Sequence, residues 1–415
     1  MPHDTPLITM LALAFVIAFA FGFIARQFRL SPLVGYLLAG VVVGPYTPGY
    51  IADTVLAQQL AEVGVILLMF GVGLHFSPRD LMRVRGIAIP GALAQIAVAS
   101  LLGFLLAQAF GWGFGGGLVF GLSLSVASTV VLLRALEARG ELDSDHGRIA
   151  VGWLIVEDVF MVAALLFLPA LADTLGGRPA AFSGDNLGAS LLLTVLKVAA
   201  FAALALIVGR RAIPWLLTKV NDTGSRELFT LAVLAIALGI AYGAALLFDV
   251  SFALGAFFAG VIMNESELSH DAAQRSLPFQ DAFAVLFFVS VGMLFNPSIV
   301  FEAPLPLLAV LLIIIGGKSL AAFLIVLAFR HPLPVALTVS ASLAQIGEFS
   351  FILVSLGVSY GLMPPEGRDL VLAAALLSIA LNPLLFRLLP PTETWLRARP
   401  DLLRKLGARN NSETE

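Results

Sequence analysis

Two adjacent carboxylates, Glu157 and Asp158, lie in the middle of an apolar stretch that runs over residues 147–172. A carboxylate at the centre of a membrane helix costs at least about 2.5 kcal/mol, and such residues mark ion or proton paths. An ionised carboxylate in this setting binds a desolvated monovalent cation, and a protonated carboxylate releases it. Competition between a cation and a proton for one carboxylate would therefore give obligatory exchange.

The two acids need not share one role. Neighbouring residues on a helix point about 100° apart, so the two side chains need not face the same cavity. We expect one carboxylate to face the ion path, while the other pairs with a cation or carries a proton. A structural ion pair inside the helix bundle is the alternative, and the usual role of intramembrane acids favours the ion path.

Lys318 is the candidate counter-charge. It lies near the middle of another apolar stretch, residues 304–329, at a depth similar to that of the acids. Two interpretations stay open. Lys318 neutralises Glu157 or Asp158 in the empty state and is displaced by a cation, or it forms a permanent bridge that stabilises its own helix.

Small polar residues interrupt two further apolar stretches at mid-depth, over residues 121–129 and 338–348. Ser and Thr compete for backbone hydrogen bonds and Gly weakens a helix, and irregular backbone at membrane depth is tolerated where it is buried or lines a cavity. Close helix packing explains either stretch alone, but both occupy matching positions, so we predict two interrupted helices that cross. The residues expected at their cavity are Ser125, Ser128, Thr129, Gln345, Gly347 and Glu348.

The matching positions follow from an internal repeat. GYLLAGV at 35–41 resembles GAFFAGV at 255–261, and residues 72–78 resemble residues 291–297 at nearly the same offset. The offset carries each predicted helix to the one seven helices later. Seven is odd, so the two copies insert with opposite orientation, as is typical of secondary transporters. The prediction is repeat one over about 7–172, a linker helix over about 189–213 and repeat two over about 227–390.

The elements that position these residues are transmembrane helices. The chain is 59% hydrophobic and only 12% charged, whereas soluble domains are roughly 25% charged. We predict an all-α polytopic membrane protein with a transmembrane domain at 1–391 and a polar cytoplasmic tail at 392–415. Because about 20 apolar residues span a bilayer, about thirteen spans are predicted, at 7–25, 32–45, 57–75, 87–109, 115–136, 147–172, 189–213, 227–247, 250–264, 277–295, 304–329, 334–360 and 367–390.

The distribution of the 24 Lys and Arg residues sets the orientation. With the N-terminus outside and the C-terminus in the cytoplasm, Arg178 and Arg368 fall outside, Lys197 and Lys318 fall within spans, and all the others fall inside. The chain has no Cys, which excludes thiolate metal sites and disulfides. We expect membrane lipid, monovalent cations and protons as partners, with no nucleic acid, no cofactor and no enzymatic activity.

Several ordered segments resemble the Kef-type monovalent cation/proton antiporters, in particular their YbaL-like branch. The resemblance covers about residues 6–390 and rests on the segments SPLVGYLLAGVVVGP, LAEVGVILLMFGVGLHFS, ASTVVLLRALEARG, GWLIVEDVFMV, LGAFFAGVIMNESELS, FFVSVGML and SLAQIGEFSFIL.

This resemblance implies a homodimer in the bacterial inner membrane with the Na⁺/H⁺ antiporter-like fold. Each subunit would have a dimerisation domain and a core domain with two crossing broken helices, and would work by elevator-like alternating access. The family's ion-binding acid falls on Asp158 and its basic residue on Lys318. Glu157 departs from the pattern, because potassium-efflux relatives often have Gln there and sodium/proton relatives have Asn or Asp. This departure leaves the cation preference open.

The function predicted is secondary active exchange of K⁺ for H⁺, with both ions competing at Asp158. Na⁺/H⁺ antiport is the near alternative. A gated cation channel, with the same carboxylates as a static selectivity site, is a different class that the repeat argues against. Family members commonly carry a C-terminal regulatory nucleotide-binding domain. We expect none in this chain, because no G-x-G-x-x-G follows a strand pattern.

Overall fold

The structure is a computed structural model that describes residues 6–28, 30–47, 54–75, 78–137, 139–142, 144–178, 187–248 and 250–399. Every element of regular secondary structure in these ranges is a helix, as the composition predicts. The N-terminal half contains α1 (Pro6–Gln27), α2 (Pro32–Val43), α3 (Thr54–His75), α4 (Pro78–Ala109), α5 (Phe114–Ser125), α6 (Thr129–Glu137), α7 (Asp145–Leu171), α8 (Leu187–Leu204) and α9 (Arg210–Asn221).

The C-terminal half contains α10 (Arg226–Phe248), α11 (Phe252–Asn264), α12 (Ser269–Met293), α13 (Ile299–Glu302), α14 (Pro304–Leu311), α15 (Ser319–Ala328), α16 (Leu333–Ser342), α17 (Glu348–Ser359) and α18 (Pro365–Arg397). Eight helices of the described chain are long and apolar enough to cross a membrane, with Pro304–Ala328 taken as one. Each predicted span coincides with one helix or with consecutive helical segments, while the number of crossings stays a prediction. The end of the predicted tail, 400–415, lies outside the described residues.

Two helices are interrupted where the sequence predicts it. α5 ends at Ser125, the backbone of Val126 is extended, and α6 begins at Thr129. α16 ends at Ser342 and α17 begins at Glu348 after an extended Gly347. The small polar side chains at these points compete with the backbone for hydrogen bonds and so weaken the helix. The irregular segments are buried, which is where such backbone is tolerated.

Two segments widen into π-helix, which the sequence did not predict. Ala205–Gly209 joins α8 to α9, and Leu312–Lys318 joins α14 to α15. A π-turn is rare and frequently lies at a functional site. The second segment ends on Lys318, the predicted counter-charge, and therefore sets where that side chain leaves the helix.

Glycines bring two pairs of helices into backbone contact. α2 crosses α12 at Gly40 and Gly292, and α3 crosses α11 at Gly73 and Gly260, where a Cβ on any of these glycines would collide with the main chain of the facing helix. Each crossing joins a residue of the first predicted repeat to one of the second. The offset between the repeats relates Gly40 to Gly260 and Gly73 to Gly292, so it exchanges the two crossings.

Candidate functional site

The two interrupted helices touch at their breaks. The side-chain amide of Gln345 joins them, because its Oε1 accepts a hydrogen bond from the Ser128 N–H (2.8 Å) and its Nε2 donates to the Ser128 carbonyl (3.1 Å). Gly347 lies directly against Ser128, where a Cβ would collide with that residue. Ser128 and Gly347 are themselves related by the repeat offset. The two predicted breaks are therefore brought together at equivalent positions.

A carboxylate stands at the start of the helix after the second break. Glu348 is the first residue of α17, only 3% exposed, and its Oε2 accepts a hydrogen bond from Ser128 Oγ at 3.1 Å. Negative charge is favourable at a helix N-terminus, where main-chain N–H groups are unpaired. The equivalent residue in the first repeat, Thr129, begins α6 and is neutral, so the two breaks differ chemically as the sequence predicts.

The two acids, Glu157 and Asp158, bind different residues at the first break. Asp158 Oδ2 accepts a hydrogen bond from Thr129 Oγ1 at 3.1 Å, and Glu157 Oε2 accepts one from the Ala127 N–H at 2.8 Å. Both carboxylates are buried. Among the described residues, Asp158 Oδ1 and Glu157 Oε1 have no hydrogen-bond partner. Each acid thus has one oxygen without a hydrogen-bond partner among the described residues, and the two acids bind different partners, while their separate roles stay a prediction.

Lys318 is completely buried and reaches the second break. Its Nζ donates a hydrogen bond to the main-chain carbonyl of Gln345 at 3.1 Å, and its ammonium interacts electrostatically with the carboxylate of Glu157. The hydrogen bond therefore goes to a carbonyl, while the charge interacts with one of the two acids, as expected of a counter-charge. Of the two acids, Glu157 is the electrostatic partner.

A cavity of about 530 Å³ leads to Asp158. Asp158 and Thr129 line it together with apolar side chains of α3, α6, α7 and α11, and with the exposed charged residues Arg83, Glu137 and Arg148. Glu157 is not among the lining residues. The cavity therefore distinguishes the two acids, because Asp158 borders it and Glu157 does not.

A second cavity of about 450 Å³ lies between α3, α12, α17 and the start of α18. Glu62 and Arg368 supply its charged lining. Several residues that line the two cavities correspond through the repeat offset, namely Val72 with Val291, Leu133 with Ile352, and Glu137 with Leu356. Part of the lining of each cavity therefore corresponds to the other through the predicted repeats.

Of the predicted cavity residues, Thr129 lines the cavity at Asp158, whereas Ser125 Oγ donates to the Leu122 carbonyl of its own helix at 2.7 Å. Sequence reasoning also missed two buried amides that hold the breaks. Gln95 Nε2 donates to the Ser125 carbonyl (2.9 Å) while its Oε1 accepts from Trp153 Nε1 (3.2 Å), and Asn382 Nδ2 donates to the Ala341 carbonyl (2.8 Å). The one available signal was an isolated amide within an apolar stretch.

Replacing Gln95 with leucine is expected to destabilise the protein by about 1–3 kcal/mol, because the Ser125 carbonyl and the Trp153 N–H lose this buried partner. The thermal unfolding midpoint of purified protein in detergent micelles measures the change. Gln58→Leu, at an exposed position on α3, is the matched control and leaves the midpoint nearly unchanged. Equal midpoints for both variants would contradict the importance of the Gln95 hydrogen bonds.

Comparisons with known proteins agree with this architecture. Residues 11–389 match the model of the transmembrane domain of sodium/hydrogen exchangers. The YbaL protein of Escherichia coli K12, which is named for cation/proton antiport, is 61% identical over 389 residues, covering 94% of this chain and 69% of YbaL. K(+) efflux antiporter 4 of Arabidopsis thaliana is 35% identical over 361 residues, covering 86% of this chain and 60% of that protein.

A solved structure shares the fold. The sodium proton antiporter MjNhaP1 from Methanocaldococcus jannaschii at pH 8 superposes with a TM-score of 0.69 at 17% identity, covering 92% of this chain and 97% of MjNhaP1. At that identity the likeness shows the fold alone. Because the exchanger model matches nearly the whole length of this chain, the chain belongs to the sodium/hydrogen exchanger family of multi-pass membrane proteins.

Proposed function

We propose that the chain is a secondary active antiporter that exchanges a monovalent cation, K⁺ in the first instance and Na⁺ as the near alternative, for protons. The observation that carries this proposal is the state of Asp158: a buried carboxylate with one oxygen held by Thr129 and the other unpartnered among the described residues, at the lining of a cavity. The names of the relatives, for cation/proton antiport and potassium efflux, support the same class.

The cation and the proton compete for the same oxygen of Asp158. A desolvated monovalent cation needs oxygen ligands, and the carboxylate and the Thr129 hydroxyl offer two of them. A proton on the carboxylate removes its charge and with it the attraction for the cation. Because one group serves both ions, loading one requires release of the other, which is the condition for exchange.

Glu157 and Lys318 form the fixed part of the site. Glu157 binds the Ala127 N–H and interacts with Lys318 across the breaks. A buried charge is tolerated when it is paired and hydrogen-bonded. The Glu157 carboxylate and the Lys318 ammonium therefore balance each other near the midplane and leave Asp158 as the acid that changes its occupant.

Alternating access follows from the repeat. The exchanged glycine crossings and the partly corresponding cavities support an inverted repeat, in which one cavity opens to each face of the membrane. The cavity at Asp158 contains Arg83 and Arg148, which the distribution of positive charge assigns to the cytoplasmic side. An elevator-type movement of the broken helices in a homodimer of the bacterial inner membrane, with the N-terminus outside, completes the proposal.

Reconstitution into liposomes with an internal pH dye tests the function. After a proton gradient is imposed, addition of K⁺ or Na⁺ is expected to move protons in the opposite direction, and the cation that acts at lower concentration is the preferred substrate. Liposomes without protein are the control. Cation current without proportionate proton movement would identify a channel and overturn the antiporter.

A further inference from the structure

We infer that Gln345 is a positioning residue that couples Lys318 to the cation site at Asp158. The inference rests on the proposed function, since it assigns a coupling role within the same site. Its physical basis is a series of hydrogen bonds that the covalent chain connects within Gln345 and between Ser128 and Thr129. We call it the Gln345 bridge, and it runs through Lys318, Gln345, Ser128, Thr129 and Asp158.

The bridge begins at the buried cation. Lys318 Nζ donates to the main-chain carbonyl of Gln345, and the side chain of the same residue binds both the N–H and the carbonyl of Ser128. The next residue, Thr129, donates its hydroxyl to Asp158 Oδ2. Gln345, in the second break, therefore connects the Lys318 ammonium to the first break. Thr129, at the end of the first break, supplies the hydroxyl that binds Asp158.

Both polar atoms of the Gln345 side-chain amide are hydrogen-bonded. Its Oε1 accepts one hydrogen bond, and its Nε2 donates to the carbonyls of Ser128 and Ser342, the latter at 3.3 Å. The side chain is completely buried. In a dry interior a satisfied polar network fixes a single arrangement, because any partial opening leaves a costly unpaired group. A shift at Ser128 is therefore passed to Gln345 instead of being absorbed by a loose contact.

A second connection runs beside the bridge. Lys318 interacts electrostatically with Glu157, which holds the Ala127 N–H one residue before Ser128. Without the bridge, Lys318 would no longer be tied to the occupant of Asp158, and Asp158 could deliver a proton and return empty. Proton movement would then continue without cation exchange. The ratio of protons to cations moved is a direct measure of this coupling.

Gln345→Met removes the side-chain hydrogen bonds to Ser128. It keeps the side-chain length and the main-chain carbonyl that accepts a hydrogen bond from Lys318. In liposomes we measure proton flux with an internal pH dye and cation flux with radioactive rubidium or sodium on the same preparation. We expect the ratio of protons to cations moved to rise about tenfold over that of the parent protein, the factor that corresponds to about 1.4 kcal/mol, the scale of one buried hydrogen bond.

Gln95→Met is the matched control. Gln95 is also a completely buried glutamine that binds a carbonyl at the first break, but it contacts neither Lys318 nor Asp158 by any hydrogen bond among the described residues. Its variant is expected to transport more slowly with an unchanged ratio. A merely structural role for Gln345 would give this same result, so a Gln345→Met protein with the parent ratio overturns the inference.

Two further variants keep the result decisive. If Gln345→Met is not recovered as a monodisperse protein, Gln345→Leu, which removes the same side-chain hydrogen bonds, takes its place, and it too must raise the ratio. Thr129→Val interrupts the bridge at its far end. Combined with Gln345→Met it must raise the ratio no further than the larger single effect, whereas additive effects would contradict one shared connection.

The failure of the inference is distinct from that of the proposed function. A parent protein that moves no protons in response to cation overturns the antiporter and the bridge together. A parent protein that exchanges ions at a fixed ratio, with Gln345→Met at the same ratio, overturns the bridge alone.

Discussion

Asp158→Asn is expected to reduce cation-driven proton flux by about 100-fold or more, to the level of liposomes without protein. The amide has nearly the shape of the carboxylate and still offers an oxygen to the Thr129 hydroxyl, so the local fold is kept. It carries no charge to attract a cation and takes up no proton. A loss of about 2.7 kcal/mol in cation binding, within the range for charge-assisted hydrogen bonds, already corresponds to a factor of about 100.

The pH-dye assay in liposomes measures this effect, with size-exclusion chromatography and the unfolding midpoint as checks on folding. Asp173→Asn is the matched control, because Asp173 is exposed after the end of α7 and its variant keeps the parent flux. Full exchange by the Asp158→Asn protein would overturn the assignment of the ion site. The same loss in both variants would show that the assay reports something other than the site.

Gly260→Ala is expected to have the largest effect on stability. A Cβ at this position would collide with the carbonyl of Phe70 on the facing helix, and its equivalent Gly40 faces the carbonyl of Val289 in the same way. Backbone atoms cannot yield as a flexible side chain does, so the whole helix pair must separate. Overpacking typically costs about 1–3 kcal/mol and occasionally more, and we expect a cost of at least about 3 kcal/mol here, with Gly40→Ala similar.

The unfolding midpoint in detergent and the yield of monodisperse protein measure this cost. Gly243→Ala on α10 is the control, since nothing lies within 4 Å of a Cβ built there. Alanine is the better helix former by about 1 kcal/mol, so that variant is expected to be at least as stable as the parent. A Gly260→Ala protein as stable as Gly243→Ala would mean that α3 and α11 do not cross this closely.

The sequence predicts those features whose causes are local. The breaks lie where Ser, Thr and Gly accumulate, and the separation of Glu157 from Asp158 follows from the geometry of one helix turn. The equivalence of Gly40 with Gly260 is visible as a repeated motif. The role of that motif in helix packing could not be predicted, because each glycine makes room for the backbone of a helix that is distant in the sequence.

The parts of the site that were missed depend on long-range contacts. Gln345 was placed at the cavity but not as the link between the breaks, because its partner Ser128 lies more than 200 positions away. Gln95 and Asn382 were missed for the same reason. The charge interaction of Lys318 with an acid was expected, but its hydrogen bond to the Gln345 carbonyl was not, since a side chain that emerges from a π-turn has a direction that α-helical spacing cannot predict.

The buried charges around the breaks bear on how the membrane voltage acts. Glu157, Asp158, Glu348 and Lys318 are joined to the two breaks by hydrogen bonds or by charge, so in the proposed movement they would cross the electric field as one body. Each uncompensated elementary charge is worth about 2.3 kcal/mol per 100 mV. The charges of the Glu157 carboxylate and the Lys318 ammonium cancel. The net charge on which the field acts is then that of Asp158 and Glu348 together with the cations or protons bound to them. The voltage dependence of exchange is thus a direct count of how many positive charges those two side chains hold during each crossing.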